Sequence, residues 1–119
     1  MEETTTFDVC FQENSIKDRI TTLNALYRSS LIELGYSPDE HLENLDSWRL
    51  FHFRDDAAAV LLTRVVDFYE GLSSMEKKVF YTDVLEKGRH YHWWWMEFLG
   101  NKEYTKTCVS TFNKILNYF

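Results

Sequence analysis

Ile16-Lys17-Asp18-Arg19-Ile20-Thr21-Thr22-Leu23-Asn24-Ala25-Leu26-Tyr27-Arg28-Ser29-Ser30-Leu31-Ile32-Glu33-Leu34-Gly35 is the stretch from which the fold class follows. Ile16, Ile20, Leu23, Tyr27, Ser30 or Leu31, and Leu34 recur every three or four residues, which lines one face of an α-helix. Gly35 supplies the left-handed residue that ends such a helix. Upstream, residues 1–13 carry no such period and read as an arm.

Downstream the same grammar repeats. Ser37-Pro38-Asp39-Glu40 has the form of a helix start, with a capping Ser, a Pro in the first turn and a Glu to close the box. That predicts a helix presenting Leu42, Leu45 and Trp48, while Leu50 to Phe53 is too short to assign. Asp55 or Asp56 is placed to cap a helix from Ala57 to Glu70, ended by Gly71. Ser73-Ser74-Met75-Glu76 is a second capping box, opening a helix with Met75, Val79, Phe80 and Val84 inward and an end near Lys87-Gly88. A short helix is predicted from Trp93 to Leu99, then a turn at Gly100-Asn101. A last helix is predicted from about Glu103, with Val109, Phe112, Leu116 and Phe119 at inward spacing. The expectation is an all-α protein, a compact bundle of five to six helices in a single domain over residues 1–119.

Composition agrees. The 119 residues are 45% hydrophobic and 17% aromatic, with one Pro and four Gly. That is too apolar for disorder and too poor in turn residues for a β-sandwich. A chain of this length buries roughly 65% of its unfolded surface, enough for its own core. The first six residues have neither the basic nor the apolar stretch of a signal peptide, and the longest apolar run is Ala57 to Leu62. A cytoplasmic protein without membrane contact is expected. Cys10 and Cys108 have no metal or redox spacing and read as reduced thiols.

Net charge is −6 and unevenly placed. Residues 1–71 hold six Lys/Arg against fourteen Asp/Glu, a balance of −8, and residues 72–119 hold seven against five, a balance of +2. An acidic surface repels phosphate, so any nucleic-acid contact is expected from the C-terminal part.

Motifs for catalysis are lacking: there is no nucleophile elbow, no phosphate-cradling glycine loop and no zinc-protease signature. Asp55-Asp56 fits the charge preference of a helix N-terminus. His90 and His92 stand two apart, with Glu86 and Glu97 at no ligand spacing, and His41 and His52 are isolated. No enzyme activity, metal or cofactor is expected. Trp93-Trp94-Trp95 is the most unusual stretch. Three successive helical positions sweep about 200°, so these indoles cannot share one buried stripe. At least one is expected at the surface, where an indole suits a protein partner.

Residues 72–116 resemble a known family. Leu72-Ser73-Ser74-Met75-Glu76-Lys77-Lys78-Val79-Phe80, then Leu99-Gly100 at a turn, Thr105 five residues beyond the glycine and Val109 four later are similar to the DNA-binding segment of ArpU/RinA-type phage late-gene transcriptional regulators. They are more distantly similar to the promoter-recognising C-terminal region of sigma factors. The resemblance implies a helix-turn-helix in residues 72–119 beside an acidic helical part at 1–71. It implies that the last helix enters the major groove with Lys102, Thr105, Lys106, Thr107, Ser110, Asn113 and Lys114 toward the DNA. Lys meets phosphate or guanine, while Asn, Ser and Thr serve base edges. Met96 stands where the family has a small residue, and the last helix has no arginine.

Two functions follow. One is a phage- or bacterium-derived DNA-binding transcriptional regulator. The other is an acidic module, such as a phage inhibitor, whose face (Glu33, Asp39, Glu40, Glu43, Asp46, Asp55, Asp56) occupies a partner's basic surface without touching DNA.

Overall fold

The computed structural model describes residues 2–87, 93–97 and 99–119, with side chains from Ile16 onward except that of Glu97. Among the described residues every regular element is helical. The elements are α1 (Glu2–Glu33), α2 (Ser47–His52), α3 (Ala57–Glu70), α4 (Ser74–Val79) and α5 (Asn101–Tyr118). Short 3-10 turns lie at Leu42–Asn44 and Trp94–Glu97, and α4 runs on into a π-helical turn at Phe80–Leu85. The protein is an all-α bundle.

The stripe of α1 is its core face. Ile20, Leu23, Tyr27, Leu31 and Leu34 are buried against Leu62, Val65 and Phe68 of α3 and against Phe80, Val84 and Ile115. Gly35 adopts φ +85°, the left-handed stop, and Tyr36 N–H closes the end on the Leu31 carbonyl at 2.8 Å. The expected arm is instead continuous with this helix, whose backbone starts at Glu2. Among the described residues no helix is long and apolar enough to cross a membrane.

Caps account for most other boundaries. Asp56 accepts from Ala58 N–H at 2.9 Å and opens α3, and Gly71 ends it. The box at the start of α4 is complete: Glu76 N–H donates to Ser73 Oγ, and Ser73 N–H donates back to Glu76 Oε1.

Five further expectations are corrected. Ser37 opens no α-helix. Its hydroxyl accepts from Asp39 N–H and its carbonyl from Glu40 N–H, which closes a single turn. The Glu40 carbonyl is then taken by the Tyr27 hydroxyl at 3.1 Å, and the helix begins only at Ser47, capped by Asp46. Trp48 faces out, because Leu50 is the buried residue of α2 and a position two residues away lies about 200° round the helix. Val109 is exposed for the same reason, since α5 buries Thr111 and Ile115. The helix predicted over Trp93 to Leu99 is a 3-10 turn of four residues, and α5 starts two residues earlier than expected, at Asn101.

The π-helical turn has a visible support. A π-turn displaces carbonyls from their i→i−4 partners, and Asn24 of α1 donates to the carbonyls of Val84 at 3.0 Å and Leu85 at 2.8 Å.

Candidate functional site

Helix α5 carries the positions expected to meet DNA. Lys102, Thr105, Lys106, Asn113 and Lys114 are exposed, and Thr107 and Ser110 are half-buried. Thr105 Oγ1 donates to the Asn101 carbonyl at 3.0 Å and Thr107 Oγ1 to the Glu103 carbonyl at 2.8 Å, so both hydroxyl protons stay within the helix. Ser110 and Lys114 are engaged elsewhere. The Ser110 hydroxyl donates to Glu76 Oε2 at 2.7 Å, and the Lys114 ammonium lies 2.9 Å from Glu76 Oε1 and 2.9 Å from Oε2. Glu76 is almost fully buried. Burial alone would raise its pKa, but bonds from Lys114, the Ser73 N–H, Ser110 and the Ser73 hydroxyl hold the carboxyl down to about 2. This carboxylate ties the start of α4 to the middle of α5, and Lys114 is the counter-ion of a buried charge. Of the seven positions expected to meet DNA, Lys102, Lys106 and Asn113 are the exposed ones outside these bonds.

The tryptophan cluster divides in the same manner. Trp95 is buried and stacks on Tyr104 at 4.5 Å, nearly parallel, with its Nε1 lacking a partner among the described residues. Trp94 Nε1 donates to Asp83 Oδ1 at 3.0 Å. The Tyr104 hydroxyl donates to Asp83 Oδ2, and burial together with that carboxylate pushes the phenol far above its ordinary range. Burial also raises the Cys108 thiol, while the Tyr104 hydroxyl acts against that shift. Trp93, 46% exposed, is the indole on the surface. Trp94 and Trp95 are spent on holding the 3-10 turn to the π-turn and α5.

A third surface was not legible as a site. Trp48, Phe51 and Phe53 are 67%, 66% and 44% exposed, and all lie on or just beyond α2. Asp46 starts this helix, and Arg49 locks it to the end of α1 by lying over the Tyr36 ring at 4.6 Å. Leu50 turns inward, so Trp48 and Phe51 are left outward, Trp48 stacked on His52 at 5.0 Å. The signal in the sequence was that one inward Leu in so short a helix leaves its aromatic neighbours nowhere to bury.

Between α2 and α3 runs an open groove of about 730 Å³. Leu42, Leu45, Leu50, Phe51, Val66 and Tyr69 supply its apolar lining, and Glu43, Asp67 and Glu70 stand along it. Glu43 Oε1 accepts from the Tyr69 hydroxyl at 2.9 Å. Burial, then that bond, pushes Tyr69 up to about 12, so it remains a protonated donor. Asp67 and Glu70 have no ion-pair partner among the described residues. The two cations at the groove lie on its rings: Arg54 over Phe51 at 4.6 Å and Lys77 over Tyr69 at 5.2 Å.

No protein-family profile matches this chain, and neither a curated protein nor a solved structure matches it.

Among the described residues no group of three or more His, Cys, Asp and Glu could hold a metal ion. His41 Nδ1 accepts from Glu43 N–H, and its ring lies 4.0 Å from that of Tyr81. His90, His92 and the Cys10 side chain lie outside the described residues.

Proposed function

We propose that this chain is a small acidic binding protein that captures a protein partner on its α2–α3 face. The observation that carries the reading is the exposure of Trp48, Phe51 and Phe53 beside an apolar groove whose Asp67 and Glu70 have no ion-pair partner among the described residues. Large aromatics are costly to leave in water, and they are the side chains that dominate binding energy at interfaces. The charge agrees: residues 33–71 hold nine Asp/Glu against three Arg. The test is affinity capture from the source cells. Phe51→Ala with Trp48→Ala should abolish recovery of a partner that Lys102→Ala with Lys106→Ala retains. Equal recovery by both double variants would remove the reading.

A DNA-binding role is the second reading, supported by Lys102, Lys106 and Asn113 on the outward face of α5 and by the likeness of residues 72–116 to phage regulators. It is weakened because Ser110 and Lys114 are bonded to Glu76. Anisotropy of a labelled genomic duplex at ~50 mM salt separates the two. With two lysines on phosphates, the slope of log affinity against log salt should be about −1.8. Absence of binding at micromolar protein ends this reading.

A further inference from the structure

We infer that the occupant of the α2–α3 groove is a basic amphipathic helix of a partner protein, seated with its apolar stripe on Leu45, Phe51 and Val66 and its lysines or arginines against Glu43, Asp67 and Glu70. The inference rests on the proposed role of this face and adds the chemistry and conformation of what it holds.

Charge argues first. Asp67 and Glu70 lack ion-pair partners among the described residues, and Glu43 commits only Oε1 to Tyr69. Arg54 and Lys77 lie over Phe51 and Tyr69 instead of pairing with these carboxylates. Asp46, Asp55 and Asp56 lie close by in sequence, which extends the negative field beyond the groove. A positive ligand gains from this field, and an acidic one is repelled.

Conformation argues second. Peptides dock on proteins by adding a strand, by laying a helix in a groove, or by stacking prolines on aromatic faces. Among the described residues there is no strand, so an extended peptide has no sheet edge to pair with. Of the two aromatic rings lining the groove, Tyr69 is buried and Arg54 lies over one face of Phe51, so a proline-rich segment finds a single open ring where it needs an aromatic-lined trough. What remains is an aliphatic trough between two helices, of about 730 Å³, suited to the side chains of one stripe of a third helix.

The experiment uses the full chain and four fluorescein-labelled 18-residue peptides. They are a Leu/Lys amphipathic helix, the same residues scrambled to destroy the stripe, a Leu/Glu helix, and a proline-rich peptide with the same lysines. The Leu/Lys helix should bind at least tenfold more tightly than the other three, and more weakly as salt rises. The triple variant Glu43→Gln, Asp67→Asn, Glu70→Gln should weaken it about tenfold or more, and Phe51→Ala should do the same. Lys102→Ala with Lys106→Ala should leave it unchanged. Circular dichroism checks that each variant is folded. Equal binding of the scrambled, acidic or proline-rich peptide overturns the inference, as does indifference to the triple variant. Should Phe51→Ala abolish capture of the cellular partner while the triple variant does not, the face stands as a binding surface and the basic helix falls. Sedimentation showing self-association that Phe51→Ala abolishes would make the occupant a second copy and overturn the inference too.

Discussion

Glu76 and the pair Asp67 and Glu70 are carboxylates within ten residues of one another, yet they do opposite things. Glu76 is buried and answered by a backbone N–H, a hydroxyl and an ammonium, so its charge is used up in joining α4 to α5. Asp67 and Glu70 are exposed along the α2–α3 groove, with no ion-pair partner among the described residues. The tryptophans repeat the contrast: Trp94 and Trp95 are consumed by Asp83 and Tyr104, while Trp48 stands outward. Residue type therefore says little about which surface is available. What matters is whether the fold has already supplied the partner.

The sharpest way to break this contrast is Lys114→Ala. Were Lys114 an ordinary outward lysine, its loss would change stability by less than about 0.5 kcal/mol. As the counter-ion of buried Glu76, its loss should cost about 2–3 kcal/mol, below the range for fully buried pairs because Lys114 is half in water. Lys102→Ala and Lys106→Ala should show the small effect, and urea denaturation compares the three.

Acid tests the same seam without mutation. Glu76 sits at about 2 in the folded protein against an ordinary 4.5, so its contribution is complete above pH ~4.5 and is lost as pH falls toward 2. The loss should be at most about 3 kcal/mol, and Glu76→Gln should remove most of that pH dependence. A variant keeping the wild-type acid slope would mean that the seam does not hold Glu76 down.

Asn24→Ala should cost about 1–3 kcal/mol, because it strands the Val84 and Leu85 carbonyls in the partly buried interface of α1 with the π-turn. The smallest effect is expected at Trp48→Ala and Phe51→Ala. Both side chains are about two-thirds exposed, so melting should move by the equivalent of about 0.5 kcal/mol or less while partner capture is lost. A large destabilisation at either position would show that the aromatics serve the fold, not a partner.

The sequence by itself determined the helical class and most boundaries, because those depend on interactions within a few residues. The stripe from Ile16 to Leu34, the φ +85° stop at Gly35, the Asp56 cap and the Ser73–Glu76 box all involve partners two to five positions apart. Periodicity lost its force where elements are short. Ser37 looked like a helix start, but Tyr27, ten residues upstream, takes the Glu40 carbonyl and the turn closes after one step. The tertiary structure alone decided which polar and aromatic side chains remain available. Glu76 meets Lys114 across 38 positions, Asn24 meets Leu85 across 61, and Trp94, in a 3-10 turn that periodicity had assigned to a helix, meets Asp83 across 11. Such pairings depend on how helices cross in space, and a side chain's reach across a crossing leaves no period in the chain that encodes it.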